Sequence, residues 1–154
     1  MVGVQEAEPV EVRDEQAVST LLFHLGRELR TALDRRFESH GITSQQAALL
    51  LLSRLVKEPS PIKMAARLGT DAAGMTRLLD RLERKQLIVR RASPDDRRLV
   101  VVELGPRGKR VLPRLVPEFR WAEKGLLDGF TTPELEQLQL LLRKLLKNAR
   151  SLNA

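Results

Sequence analysis

Residues 60–108 read SPIKMAARLGTDAAGMTRLLDRLERKQLIVRRASPDDRRLVVVELGPRG. Ser60 can cap a helix, Pro61 supplies the preset φ of a first helical position, and Gly69 can take a left-handed stop, so Ile62 to Leu68 are predicted as a short helix. Thr70 or Asp71 then caps a second helix, in which Met75, Leu78, Leu79 and Leu82 fall at i, i+3, i+4 and i+7 and form one inward stripe. Its opposite face carries Ala73, Gly74, Thr76, Arg77, Arg81 and Arg84, small groups first and long cations later. Leu87 to Arg91 and Leu99 to Leu104 have strand composition, and Ala92 to Arg98, with Ser93-Pro94-Asp95-Asp96, turns between them. Two capped helices followed by a hairpin make a winged helix-turn-helix. The small residues of the second helix would let its backbone approach a groove floor, while its arginines reach bases or phosphates.

Outward from this lobe the chain reads as helix. Between Asp14 and about Ser39, Val18, Leu21, Leu22, Leu25, Leu29, Leu33 and Phe37 recur every three or four residues, and His40-Gly41 ends the run. Thr43 with Gln46 forms a capping box for a helix from Ser44 to Lys57, whose segment Ala47 to Leu52 is apolar all round and is expected to be central and buried. After the wing, Pro106 opens a helix towards Phe130 with Pro113 and Pro117 inside it, each removing a backbone donor and tending to kink the axis. Thr131 or Thr132, Pro133 and Glu134 start a last helix with the stripe Leu135, Leu138, Leu142, Leu145 and Leu146. Residues 1–13, with Glu6, Glu8, Pro9 and Glu11, are expected to be a poorly ordered arm. The fold class is therefore mainly α with a small β-hairpin wing. Residues 43–105 form the winged helix-turn-helix lobe, and 14–42 with 106–154 form a helical dimerisation region. The two terminal helices carry more apolar face than the lobe can cover, so a second copy is expected to bury them; the competing arrangement is a monomeric bundle folded on its own core.

Composition narrows the function. Hydrophobic residues make up 42% of the chain and aromatics 3%, so the core is aliphatic, and stacking of single-stranded nucleic acid is disfavoured. The formal net charge is +7, and Thr70 to Arg110 hold 11 Lys or Arg against 6 Asp or Glu, which places much of the excess on the lobe. That balance suits a polyanion, although a solvated basic surface would read alike. There is no Cys, which removes disulfides, thiolate metal sites and cysteine-oxidation sensing. No apolar run approaches a membrane span of about 20 residues, the first fifteen residues are acidic, and the chain is expected in the cytoplasm. No Gly-rich phosphate loop, nucleophile elbow or metal-ligand spacing is present. The adjacent pair Asp95-Asp96 reads as stiffening the wing through salt bridges to Arg97 and Arg98 rather than as an acid/base pair, and His24 and His40 have no third ligand in view. No catalytic residue, metal or cofactor is expected.

The run Arg77-Leu78-Leu79-Asp80-Arg81-Leu82-Glu83-Arg84-Lys85, the strand after it, and Asp96-Arg97-Arg98 followed by Leu104 and Gly108 resemble the core signature of MarR-type bacterial transcription regulators. Two positions depart from it: Gln86 stands where the family commonly has Gly, and Gly105 where it commonly has Thr. The resemblance implies a homodimer built from Asp14 to Leu33 and Trp121 to Leu152, and Arg98 as the wing arginine that enters a minor groove, with Arg97 beside it and Asp96 orienting the turn. It also implies a pocket between dimer arms and lobe for a small, aromatic or anionic effector, for which His24, Arg27 and Trp121 are the candidates. The expected function is sequence-specific binding of double-stranded DNA at a pseudo-palindromic operator, as a repressor released by such a ligand. Ligand-independent architectural DNA binding and a winged-helix protein-interaction module are the alternatives.

Overall fold

In the computed structural model, which describes residues 17–152, the capping chemistry sets the helix-turn-helix. The Ser60 hydroxyl accepts the Lys63 N–H at 3.3 Å and Pro61 opens α3, Pro61–Leu68, which Gly69 ends at φ +64°. Of the two candidate caps for the next helix, Asp71 is used: its carboxylate accepts the Gly74 N–H at 2.5 Å and starts α4, Ala72–Arg84. Met75, Leu78, Leu79 and Leu82 are all buried along one stripe of α4, as the periodicity requires.

The end of α4 is a left-handed stop made without glycine. Gln86 sits at φ +57°, its N–H donates to Glu83 O at 2.8 Å, and the Leu87 N–H donates to Leu82 O at 2.9 Å. These are the paired 5→2 and 6→1 bonds that satisfy the last carbonyls of a helix. The chain then enters β1, Ile88–Ala92, which pairs antiparallel with β2, Val100–Leu104, in the register Ile88 to Leu104, Arg90 to Val102 and Ala92 to Val100. Both strands begin one residue later than the composition suggests, and the Val102 N–H also reaches back to Pro59 O at 2.8 Å, tying the wing to the chain before α3.

Around this lobe lie α1, Val18–Phe37, followed by a 3₁₀ turn over Glu38–His40; α2, Ser44–Leu55; α5, Pro106–Leu126; and α6, Thr132–Ser151. The Thr43 and Gln46 capping box of α2 is formed in both directions. α2 stops two residues short of the expected Lys57, because Val56 turns extended and Glu58, held at φ +50°, precedes Pro59, where helical backbone is sterically disfavoured. α5 stops at Leu126 short of Phe130, ahead of Gly129 at φ +82°, and it runs as one helix through Pro113 and Pro117. The expected arm over residues 1–13, and the first residues assigned to the long N-terminal helix, lie outside the described residues.

The core gathers Phe37, Leu49, Leu50, Met64, Leu115 and Val102 around the buried stripe of α4. Phe37 meets Phe119 of α5 with ring centroids 5.1 Å apart and planes tilted by 58°, a favoured aromatic geometry. α2 is central as expected, packing against α1, α3, α5 and β2, with Ala47, Leu49 and Leu50 buried and Ala48, Leu51 and Leu52 half-buried. Gly108 lets α5 approach the start of β1: a Cβ there would run into the Leu87 carbonyl. The long terminal stripes are covered only in part. Leu33 and Phe37 of α1 are buried, but Leu21, Leu22, Leu25 and Phe23 are exposed, and no residue of α6 is buried. No described helix is long and apolar enough to cross a membrane.

Candidate nucleic-acid interface

With its apolar stripe committed to the core, α4 leaves Ala73, Thr76, Arg77, Arg81 and Arg84 exposed and Gly74 half-buried. The glycine serves the local cap: a Cβ at 74 would come within 2.6 Å of Thr70 Oγ1 and 2.9 Å of Asp71 Oδ1. Arg81 Nε donates to Arg77 O at 3.2 Å and Arg84 Nε to Asp80 O at 3.4 Å, so these two side chains lie back along their own helix. The Arg77 side chain has no hydrogen-bond or ion-pair partner among the described residues, which leaves its guanidinium available to a polyanion.

The wing turn is built by short-range bonds. Buried Ser93 accepts the Asp95 N–H on its hydroxyl at 3.3 Å, and its own N–H donates to Leu99 O at 2.8 Å. The Asp96 carboxylate accepts the Arg98 N–H at 2.9 Å, while the Leu99 N–H donates to Asp96 O at 2.9 Å. This corrects the sequence expectation, in which Asp95 and Asp96 stiffen the turn by salt bridges: among the described residues neither pairs with Arg97 or Arg98. An aspartate two residues before a backbone N–H reaches it with less entropy to lose than it would need to hold a long guanidinium. Arg97 and Arg98 remain exposed at the tip. The ion pair of the wing is across the strands instead, Arg91 Nε to Glu103 Oε2 at 3.2 Å.

Sequence reasoning missed Arg90. Its backbone N–H donates to Glu83 Oε1 at 3.1 Å, its guanidinium bonds Asp80, and its Nε lies 3.8 Å from Glu83 Oε2. The only signal in the sequence is the pair of carboxylates at i and i+3 on α4, beside the outward arginines. Two more cations brace the lobe against the corner after α1: Lys85 Nζ donates to Gly41 O at 2.9 Å, and Arg107 to His40 O at 3.3 Å.

The three residues expected to form an effector pocket are not brought together. Trp121 lines a groove of about 250 Å³ between α1 and α5 with Leu25, Leu29 and Leu126. His24 is exposed, Arg27 pairs with its neighbour Glu28 at 2.9 Å, and neither lines that groove. Helical rotation explains this: Leu25 and Leu29 face α5, whereas His24 is turned well round the helix from that line and Arg27 is on the opposite face. The cation over Trp121 is Arg36, 4.1 Å from the ring, and Arg36 also pairs with Glu118.

A two-strand wing behind a helix-turn-helix, flanked by long helices, defines the fold as a winged helix-turn-helix with helical arms. The MarR family model matches residues 42–100, the lobe from the end of the α1 corner to the start of β2. Solved structures agree over nearly the whole chain. MepR from S. aureus, in complex with DNA, is 24% identical with a TM-score of 0.80, the match covering 89% of this chain and 99% of MepR. A MarR variant from E. coli, complexed with operator DNA, is 25% identical with a TM-score of 0.74, covering 84% and 93%. CouR from Rhodococcus jostii, bound to p-coumaroyl-CoA, is 22% identical with a TM-score of 0.77, covering 85% and 92%.

Proposed function

We propose that this chain is a homodimeric, sequence-specific regulator of transcription that binds double-stranded DNA, with α4 in a major groove and the tip of the wing in the adjacent minor groove. The observation that carries the reading is the division of α4: every apolar side chain of its stripe is buried, and every arginine is exposed. A helix so divided has one face committed to the fold and one to a partner, and the cations on that face call for phosphates and acceptor-rich base edges. Two structurally similar regulators, MepR and the E. coli MarR variant, are bound to DNA. A second copy provides cover for the exposed leucines of α1 and α6, and it would present two reading helices to half-sites about 10 base pairs apart on a pseudo-palindrome.

Selection from a randomised pool of duplexes, followed by a salt titration of the winner, tests this. The selected duplex should bind about 10³-fold or more tighter than random duplex, and both affinities should fall steeply with salt. Tight, salt-dependent binding without sequence preference would make the protein architectural, and no salt-dependent DNA binding at all would favour a protein-interaction module. The repressor role and its release by a small ligand belong to the same proposal. The groove beside Trp121, lined mostly by apolar side chains, suits the aromatic part of such a ligand. Titrating aromatic acids against the protein–duplex complex should find at least one that releases the DNA and raises the melting temperature of the free protein.

A further inference from the structure

We infer that Arg90 is a positioning residue, which fixes the distance between the reading helix and the wing so that both fit one duplex; the inference rests on the DNA-binding function proposed above. Arg90 lies on β1, and its partners Asp80 and Glu83 sit one turn apart on the flank of α4 that faces the hairpin. The contact is threefold. Arg90 bonds Asp80 through its terminal nitrogen, its Nε is buried and approaches Glu83 Oε2 at 3.8 Å, and its backbone N–H donates to Glu83 Oε1 at 3.1 Å. One planar fork therefore spans two carboxylates of α4 while its own backbone is held in the β1–β2 ladder, where Arg90 is paired with Val102. Only 29% of the Arg90 side chain is exposed, so it does not offer itself to a phosphate as Arg97 and Arg98 do.

The same contact has an electrostatic effect. Asp80 and Glu83, half-exposed beside Arg77 and Arg84, would repel an approaching phosphate backbone if left unpaired. Arg90 offsets part of that negative charge from inside the lobe and leaves the outer arginines free for the duplex. Placement matters because a shift of the wing relative to α4 leaves random DNA, held by phosphate contacts in many registers, nearly as well bound as before. An operator that needs both grooves engaged at once is bound much less tightly.

The test uses the full chain, the duplex that the wild-type protein selects from a randomised pool, and a random-sequence duplex of the same length. Arg90→Lys keeps the charge and removes the fork. It should weaken the selected duplex by about tenfold or more, leave random duplex within about twofold, and keep the salt slope. Asp80→Asn attacks the contact from the other side and should lower the same ratio, and the charge swap of Asp80→Arg with Arg90→Asp should restore part of it. All measurements are made well below the melting temperature of each variant. A ratio of selected to random affinity that stays at its wild-type value in both single variants overturns the inference and leaves the proposed function standing. Equal loss on the two duplexes with a shallower salt slope also overturns it, by making Arg90 a phosphate contact. A wild-type protein that enriches no sequence overturns the DNA-binding proposal and this inference with it.

Discussion

Gln86 holds a left-handed φ of +57° where a glycine would do so freely. Its side chain is exposed, so nothing is lost by removing it, and Gln86→Gly should stabilise the protein by about 0.5–1 kcal/mol. A rise in the urea midpoint at constant slope is the expected readout, and an unchanged midpoint would mean the strain is absent. Gly105, the other departure from the resembling family, lies against the same backbone: a Cβ at 105 would stand 2.5 Å from Gln86 O and 3.2 Å from Ile88 C. Gly105→Thr, which restores the residue common in the family, should therefore destabilise this chain by at least about 1 kcal/mol unless the Gln86 turn moves with it. The tip of the wing behaves differently. Arg98 contributes little to the fold, so Arg98→Ala should hardly shift the melting temperature. It should weaken selected and random duplex alike and make the log–log salt slope shallower by about one.

At the scale of elements, the caps decide where helices begin. Asp71→Ala removes the acceptor for the Gly74 N–H and should cost about 1 kcal/mol, concentrated in the first turn of α4, where amide exchange of Gly74 and Met75 should accelerate. At α6 the Thr131 N–H and hydroxyl both donate to Glu134, and these bonds hold the Glu134 carboxyl below its ordinary pKa. A depressed folded-state value means the cap contributes fully above the ordinary glutamate range and is lost as pH falls through the lowered value. Helicity at the start of α6 should therefore decline on acidification, and Glu134→Gln should remove that pH dependence. These caps were legible in the sequence because each is written within four residues, as were the buried stripe of α4 and the hairpin turn. The ends of α2 and α5 were not, since Glu58 and Gly129 turn the chain at positive φ by choices the neighbouring periodicity does not announce. Nor were Arg90 with Asp80 and Arg36 with Trp121, because each pairing depends on the angle at which one element crosses another.

For the whole molecule, the unanswered apolar surface dominates. Leu140 is 62% exposed and Leu146 54%, on a helix that is otherwise well capped. Light scattering at micromolar concentration should return about twice the chain mass of 17.4 kDa, and a monomer mass would overturn the homodimer. Removing residues 134–154 should leave the α2–β2 lobe folded but shift the mass to monomer and abolish tight operator binding. Since no residue of α6 is fully buried inside its own chain, the proposed homodimer would make protein concentration a variable of the proposed regulation. In a cell where copy number falls below the dimer dissociation constant, the paired species grows as the square of expression. Halving gene dosage then cuts promoter occupancy by about fourfold rather than twofold.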